Sequence, residues 1–330
     1  MVGRWPEDAT GRLQTAALAL FAERGYATST TSPPPRSRRQ AVIPTSSLEL
    51  VDPRRQAWRG EQPRPVRVQL WSPAAVDAPP VVLLSHGTGG AARDLTWLAE
   101  PLAAAGFLVA GVDHHGNNSA DDYIPEAFAC IWDRPMDLSF VLDQLARMHH
   151  VGPVGVAGFS LGGYTAAALL GARIDPHVLA GLLHGHIPFP PTPEYPDLAG
   201  EIRARVDAAQ QERWLSAAAR DYADPRIRAG FLICPSVGLV LDPASLASIG
   251  KPSAVWWAEA DDVAPPAENA QRYARLIPTA TGRSAGTDVG HYAFLNRDPA
   301  GRPARDFVAA DAVEFFRTTL GPDPEPTRNT

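Results

Sequence analysis

The pentapeptide G-F-S-L-G at 158–162 sets a serine between two glycines. A turn of this kind lets a strand bend sharply into a helix and exposes the hydroxyl, which suits a serine nucleophile attacking an acyl carbonyl. Composition alone would produce the pattern in about one such chain in ten, so its flanks decide. They fit: P-V-G-V-A (153–157) reads as a strand directly before it, and the Ala- and Leu-rich stretch Leu161 to Ala172 as a helix directly after it. The helix start brings free N–H groups and a positive partial charge beside Ser160. Upstream, L-L-S-H-G-T-G-G (83–90) leaves a strand for a glycine-rich loop. The backbone N–H groups of Thr88 and Leu161 are therefore the expected pair of oxyanion donors, and His86 is expected to be structural.

A serine hydroxyl needs a base to take its proton. Nine histidines are present, and the chain order nucleophile, acid, histidine selects His291, in D-V-G-H-Y-A-F-L. His114, His115, His149, His150, His177, His184 and His186 read instead as loop, helix-end or cap residues. The acid should follow the penultimate strand, where A-V-W-W-A-E-A-D-D-V-A-P-P carries Glu259, Asp261 and Asp262. Asp261, followed by the V-x-P that closes the turn, is the expected acid, with Asp262 as the alternative.

These residues need a sheet to hold them. Apolar, β-rich runs occur at 66–71, 80–84, 107–112, 153–157, 229–233 and 254–258, with a weaker one near 283–288, and helical segments lie at about 94–105, 135–148, 161–172, 265–276 and 305–319. Strands alternating with helices predict an α/β fold with a mostly parallel sheet covered on both faces. Trp256 and Trp257 should point to opposite faces of their strand and pack. Residues 173–225 break the alternation with a His-rich stretch, a proline-rich turn and an amphipathic helix from about Leu198 to Arg220; so long an insertion is expected to be a helical cap over the site.

The chain has 330 residues, 45% of them hydrophobic, and a net charge of −6. That supports one large core and argues against nucleic-acid binding. Residues 8–25 read as an amphipathic helix, so 1–26 is expected to be a separate helical segment. A disordered linker is expected over 27–47, the α/β domain over 48–321 and a flexible tail over 322–330. Cys130 and Cys234 have no metal-ligand spacing, no apolar run reaches the length of a membrane span, and the N-terminus has no signal-peptide pattern. A cytoplasmic protein without stable membrane insertion is expected; no sequence feature sets an oligomeric state.

Several ordered blocks carry a resemblance: S-H-G-T-G-G, V-D-H-H-G-N (112–117), W-D-R-P-M-D-L-S-F-V-L-D (132–143), G-F-S-L-G-G-Y-T-A (158–166), D-P-R-I-R-A (224–229), A-D-D-V-A-P (260–265) and G-H-Y-A-F-L (290–295). Through them the chain from about Val66 to Gly321 resembles the bacterial α/β-hydrolases grouped with predicted dienelactone hydrolases and platelet-activating-factor acetylhydrolases. The resemblance implies the α/β-hydrolase fold, a triad of Ser160, Asp261 and His291, oxyanion donors at Thr88 and Leu161, and hydrolysis of a small carboxylic ester of short to medium acyl length without metal or organic cofactor. Dienelactone hydrolases proper use a cysteine nucleophile, so a lactone of that kind is not expected here. The first helix, through F-A-E-R-G-Y, resembles the opening helix of the tetracycline-repressor DNA-binding domain, but no recognition helix follows it. The alternatives in other classes are a non-catalytic ligand-binding module on this scaffold and a regulator-fused sensor.

Overall fold

The computed structural model describes residues 43–74, 76–189, 192–295 and 298–321. The helix expected over 8–25, most of the linker and the tail fall outside the described residues.

Eight strands, β1 (Thr45–Gln56), β2 (Pro63–Trp71), β3 (Val81–Ser85), β4 (Leu108–Asp113), β5 (Val154–Phe159), β6 (Ile227–Ile233), β7 (Ser253–Trp257) and β8 (Ala280–Ser284), form one sheet in the order β1-β2-β4-β3-β5-β6-β7-β8. β2 runs antiparallel to both β1 and β4, and the remaining pairs are parallel. β3 and β5 are buried along their whole length, as their unbroken apolar runs require of strands covered on both faces. The helices are α1 (Thr96–Ala104), α2 (Pro125–Ala129), α3 (Asp133–Met148), α4 (Leu161–Leu170), α5 (Pro176–Leu183), α6 (Leu198–Arg205), α7 (Ala208–Ala218), α8 (Pro243–Ala247), α9 (Ala270–Leu276) and α10 (Arg302–Leu320).

Two cores result. On one face Leu138 and Val141 of α3, Leu169 of α4 and Leu179 of α5 pack against Val156. On the other, Leu98 of α1 and Val308 and Phe316 of α10 pack with Phe159 and Phe231. Trp256 belongs to the second core and Trp257 packs on the first, the split that strand alternation predicts. The fold is that of an α/β-hydrolase, as expected from the sequence. The strand order reverses between β3 and β5, which lie side by side; a crevice opens at such a switch point, outside the carboxyl ends of the strands.

Three local readings differ from the structure. β1 begins at Thr45 and so takes three residues assigned to the linker. Its signal is weak because it lies at the sheet edge against β2 alone and carries polar residues on both sides, with Val51 56% exposed. The strand near 283–288 lies instead at Ala280–Ser284, at the opposite edge, where little of it is buried. The single helix expected from Leu198 to Arg220 is two, α6 and α7. The break comes where Asp207 caps α7, its Oδ1 accepting from the Gln210 N–H at 2.7 Å, a bond that only a non-helical residue at that point can make.

Candidate active site

Ser160 sits where β5 ends and α4 begins, with φ 56° and ψ −120°, a conformation L residues rarely adopt. Hydrogen bonds hold it there: its N–H donates to the Ile233 carbonyl at 2.9 Å, and its carbonyl accepts from the Gly163 N–H at 2.8 Å. The two flanking glycines are required by close approach. A Cβ on Gly158 would collide with the Gly162 carbonyl, and one on Gly162 with the carbonyl of Ser85 at the end of β3. The elbow thus depends on the sheet as well as on the pentapeptide.

The fold brings together the residues that the sequence brought forward. His291, 131 positions along the chain, lies with Nε2 2.9 Å from Ser160 Oγ, and its Nδ1 is 2.7 Å from Asp261 Oδ2. A carboxylate only accepts, so the ring proton sits on Nδ1 and Nε2 is left to accept from the serine hydroxyl. Asp261 is fixed in turn: its Oδ1 accepts the N–H groups of Val263 and Ala264 at 3.0 and 2.7 Å. Ser160, His291 and Asp261 are all buried, whereas the alternative acid Asp262 is exposed, and Glu259 is engaged by the Trp257 indole. Cys234, Asp261 and His291 offer potential metal-ligand atoms within 4.8 Å of one another. Burial pushes the Cys234 thiol well up, however, and a metal needs the thiolate. The imidazole and carboxylate already bind each other, so these three fit an acid–base pair with a thiol packed beside it.

The glycine-rich loop after β3 crosses directly over the elbow: a Cβ on Gly87 would lie 3.3 Å from the Ser160 Cβ. Its backbone donors are mostly committed. The Gly89 N–H goes to Asn117 Oδ1, Gly90 to the Gly87 carbonyl, Ala91 to Asp94 Oδ2 and Ala92 to Asp113 Oδ1. Among the described residues from 88 to 92, the Thr88 N–H is the one left unspent. The Leu161 N–H, at the first position of α4, is also without an acceptor among the described residues, as a helix start dictates. Thr88 and Leu161 line the same cavity as Ser160 and His291.

Beneath this loop lies a buried polar network whose roles the sequence did not reveal. His114, at the end of β4, has Nε2 2.9 Å from Ser85 Oγ and Nδ1 2.8 Å from Asp137 Oδ2, the same order of atoms as in the Ser160 group. The Arg134 guanidinium, also fully buried, donates to Ser85 Oγ, Thr165 Oγ1, Asn117 Oδ1 and the His86 carbonyl. The Asn117 contact ties it to the residue that anchors Gly89. His86 accepts the His114 N–H at Nε2, so its own proton is on Nδ1, donated to the Gly87 carbonyl at 2.6 Å. Burial, reinforced by the Arg134 charge, lowers the His114 imidazole to about 3 and holds His86 well below its ordinary value; both are neutral. For Asp137 burial works upward, but Arg64, Arg55 and the His114 bond outweigh it and hold the carboxyl well below the usual range. Ser85 and His114 do not line the cavity. Arg134 and Asp137 sit three apart on α3 and point inward from a helix whose apolar stripe masks them, and nothing local signals that arrangement.

The cavity in front of Ser160 measures about 680 Å³. Its lining is largely apolar and comes in good part from 174–198, where Val178, Leu179, Leu182 and Phe189 contribute. Two acidic residues of the wall, Asp94 and Glu194, lie close to the glycine-rich loop.

A family model described as serine aminopeptidase, S33, matches residues 77–185, which includes the loop and the elbow. A ferulic acid esterase from Streptomyces cinnamoneus is similar in structure (TM-score 0.55, 19% identity, 89% of this chain and 95% of that one). So are a cold-adapted esterase from an Arctic intertidal metagenomic library (0.51, 16%, 88% and 100%) and a puromycin-hydrolyzing peptidase of Mycobacterium tuberculosis (0.53, 13%, 86% and 40%). No curated protein sequence matches. At these identities the likeness shows a shared fold, and that fold houses both ester and amide hydrolysis.

Proposed function

We propose that this chain is a serine hydrolase that cleaves small carboxylic esters of short to medium acyl length. Ser160 Oγ attacks the carbonyl while His291 Nε2 takes its proton, and Asp261 holds the Nδ1–H and stabilises the imidazolium. The N–H groups of Thr88 and Leu161 receive the developing oxyanion; one such donor is worth about 3 kcal/mol of transition-state stabilisation. The imidazolium then protonates the departing alkoxide, and water, activated by the same histidine, hydrolyses the acyl-enzyme. The observation that carries this reading is the relay of 2.9 and 2.7 Å from serine through histidine to carboxylate at the wall of an apolar cavity.

Two of the three structures described above are esterases, in keeping with an ester substrate. Membership of the group of dienelactone hydrolase-like and platelet-activating-factor acetylhydrolase-like enzymes is supported by where its blocks meet. S-H-G-T-G-G, V-D-H-H-G-N and W-D-R-P-M-D supply Ser85, His86, His114, Asn117, Arg134 and Asp137, which bond to one another under the loop. Among the described residues no helix is long and apolar enough to cross a membrane. Both cysteines are buried and unpaired, which fits a cytoplasmic, reducing setting.

A fluorophosphonate probe should label the wild-type chain at one serine and leave Ser160→Ala unlabelled. Equal labelling of the two proteins would remove Ser160 as nucleophile. No labelling of either, with no turnover of p-nitrophenyl esters from acetate to decanoate, would leave a non-catalytic binding module.

A further inference from the structure

Glu194 is a carboxylate placed where apolar walls surround it. It lies in the segment after α5, lines the cavity shared with Ser160 and His291, and packs on the glycine-rich loop so closely that a Cβ on Gly89 would collide with its Oε1. Gly89, at φ +59°, therefore satisfies two demands, the left-handed backbone and the space for this side chain. Glu194 Oε2 is buried and has no hydrogen-bond partner among the described residues. A buried acceptor left without a hydrogen bond is destabilising, more so when charged, so a group placed in this way asks for a donor from outside the chain. Burial pushes the carboxyl up, and together burial and the Glu194 charge raise the hydroxyl of Tyr292, the neighbour of His291. Glu194 thus lies within electrostatic reach of the residue beside the base.

The rest of the wall has the same sign. The described lining includes Asp94, Glu194 and Glu268 and no lysine or arginine. Asp94 is already engaged by the Ala91 N–H, and Glu268 is exposed, which leaves Glu194 as the wall carboxylate with a buried oxygen, Oε2, that has no hydrogen-bond partner among the described residues. An anionic substrate would meet uncompensated repulsion in a low-dielectric site, whereas a cation would restore the stabilisation that burial has taken from the carboxylate. The exposed Tyr292 ring at the same wall offers a face to such a cation.

We propose that Glu194 is the specificity-determining anchor of the cavity and takes the protonated amine of a small cationic substrate, with the scissile carbonyl at Ser160. The assignment rests on the reading of Ser160 as nucleophile and narrows its substrate class. Because Gly89 directly follows the oxyanion donor Thr88, the ammonium group lies near the carbonyl, and apolar chains extend toward Val178, Leu182 and Phe189.

The test is binding without turnover, measured by calorimetry on the full chain with hexylammonium, hexan-1-ol and hexanoate. Hexylammonium should bind at least tenfold more tightly than hexanoate, with the alcohol between them. In Glu194→Gln, checked as folded by fluorophosphonate labelling at Ser160, the ratio of ammonium to carboxylate affinity should fall to threefold or less. Equal binding of hexanoate and hexylammonium by the wild type overturns the proposal, as does a labelled Gln variant that keeps the full preference. The wild-type ranking stands as a test even if that variant does not fold. If the ammonium preference holds while Ser160 resists labelling, the esterase reading fails and the anchor survives; labelling without preference removes the anchor and leaves the nucleophile in place.

Discussion

At the scale of residues, the site divides into groups that a sequence declares and groups that only a fold assembles. The elbow serine is declared by its glycines and flanking elements, the histidine by its position late in the chain, and the acid by the loop in which three carboxylates crowd. Asp261 and Asp262 are adjacent, and what separates them is invisible in one dimension: Asp261 meets His291 and two backbone N–H groups, whereas Asp262 faces solvent. Asp261→Asn should therefore lower kcat on a p-nitrophenyl ester by about four orders of magnitude, and Asp262→Asn by less than tenfold; the reverse ranking would transfer the role to Asp262. Arg134, His114 and Glu194 lie beyond such reading for a different reason. Their partners at Ser85, His86 and Gly89 are far off along the chain: the crossing of β3, β4 and α3 brings Arg134 and His114 to theirs, and the segment between α5 and α6 brings Glu194 to Gly89.

At the scale of elements, legibility follows burial. The central parallel strands have unbroken apolar runs and emerge within a few residues of where their sequences indicate. β1 and β8 stand at the two edges, where half or more of each strand faces water and the periodic signal fades. α4 shows the strongest coupling between element and site: all ten of its residues are buried, and its first turn is pressed against the end of β3. Gly162→Ala would drive a methyl group into the Ser85 carbonyl, and backbone cannot yield as a flexible side chain can. A loss of several kcal/mol is expected, read as a thermal midpoint at least ~10 °C lower or as insoluble protein. A midpoint within about 2 °C of wild type would mean that α4 can shift away from the sheet.

At the scale of the whole molecule, the neutral histidines under the loop govern the response to acid. Both are held below the ordinary value, so the folded state refuses protons that the unfolded chain accepts below about pH 6.5. Stability is full above that pH and declines as the pH falls, by about 1.4 kcal/mol per unit for each histidine, down to about 3 for His114. Asp137, held low, adds loss of the same sign below about pH 4. Urea midpoints should drop markedly between pH 7 and pH 5, and a flat profile over that range would contradict the burial of neutral rings. The same buried group has a consequence for counting molecules. The described residues hold two serine–histidine–aspartate chains of atoms, through Ser160 and through Ser85, and of these two the first lines the apolar cavity and the second does not. With Ser160 as the proposed nucleophile, a slow acylating reagent should release one leaving group per folded chain, and the amplitude of that burst would measure the concentration of intact active sites in a preparation.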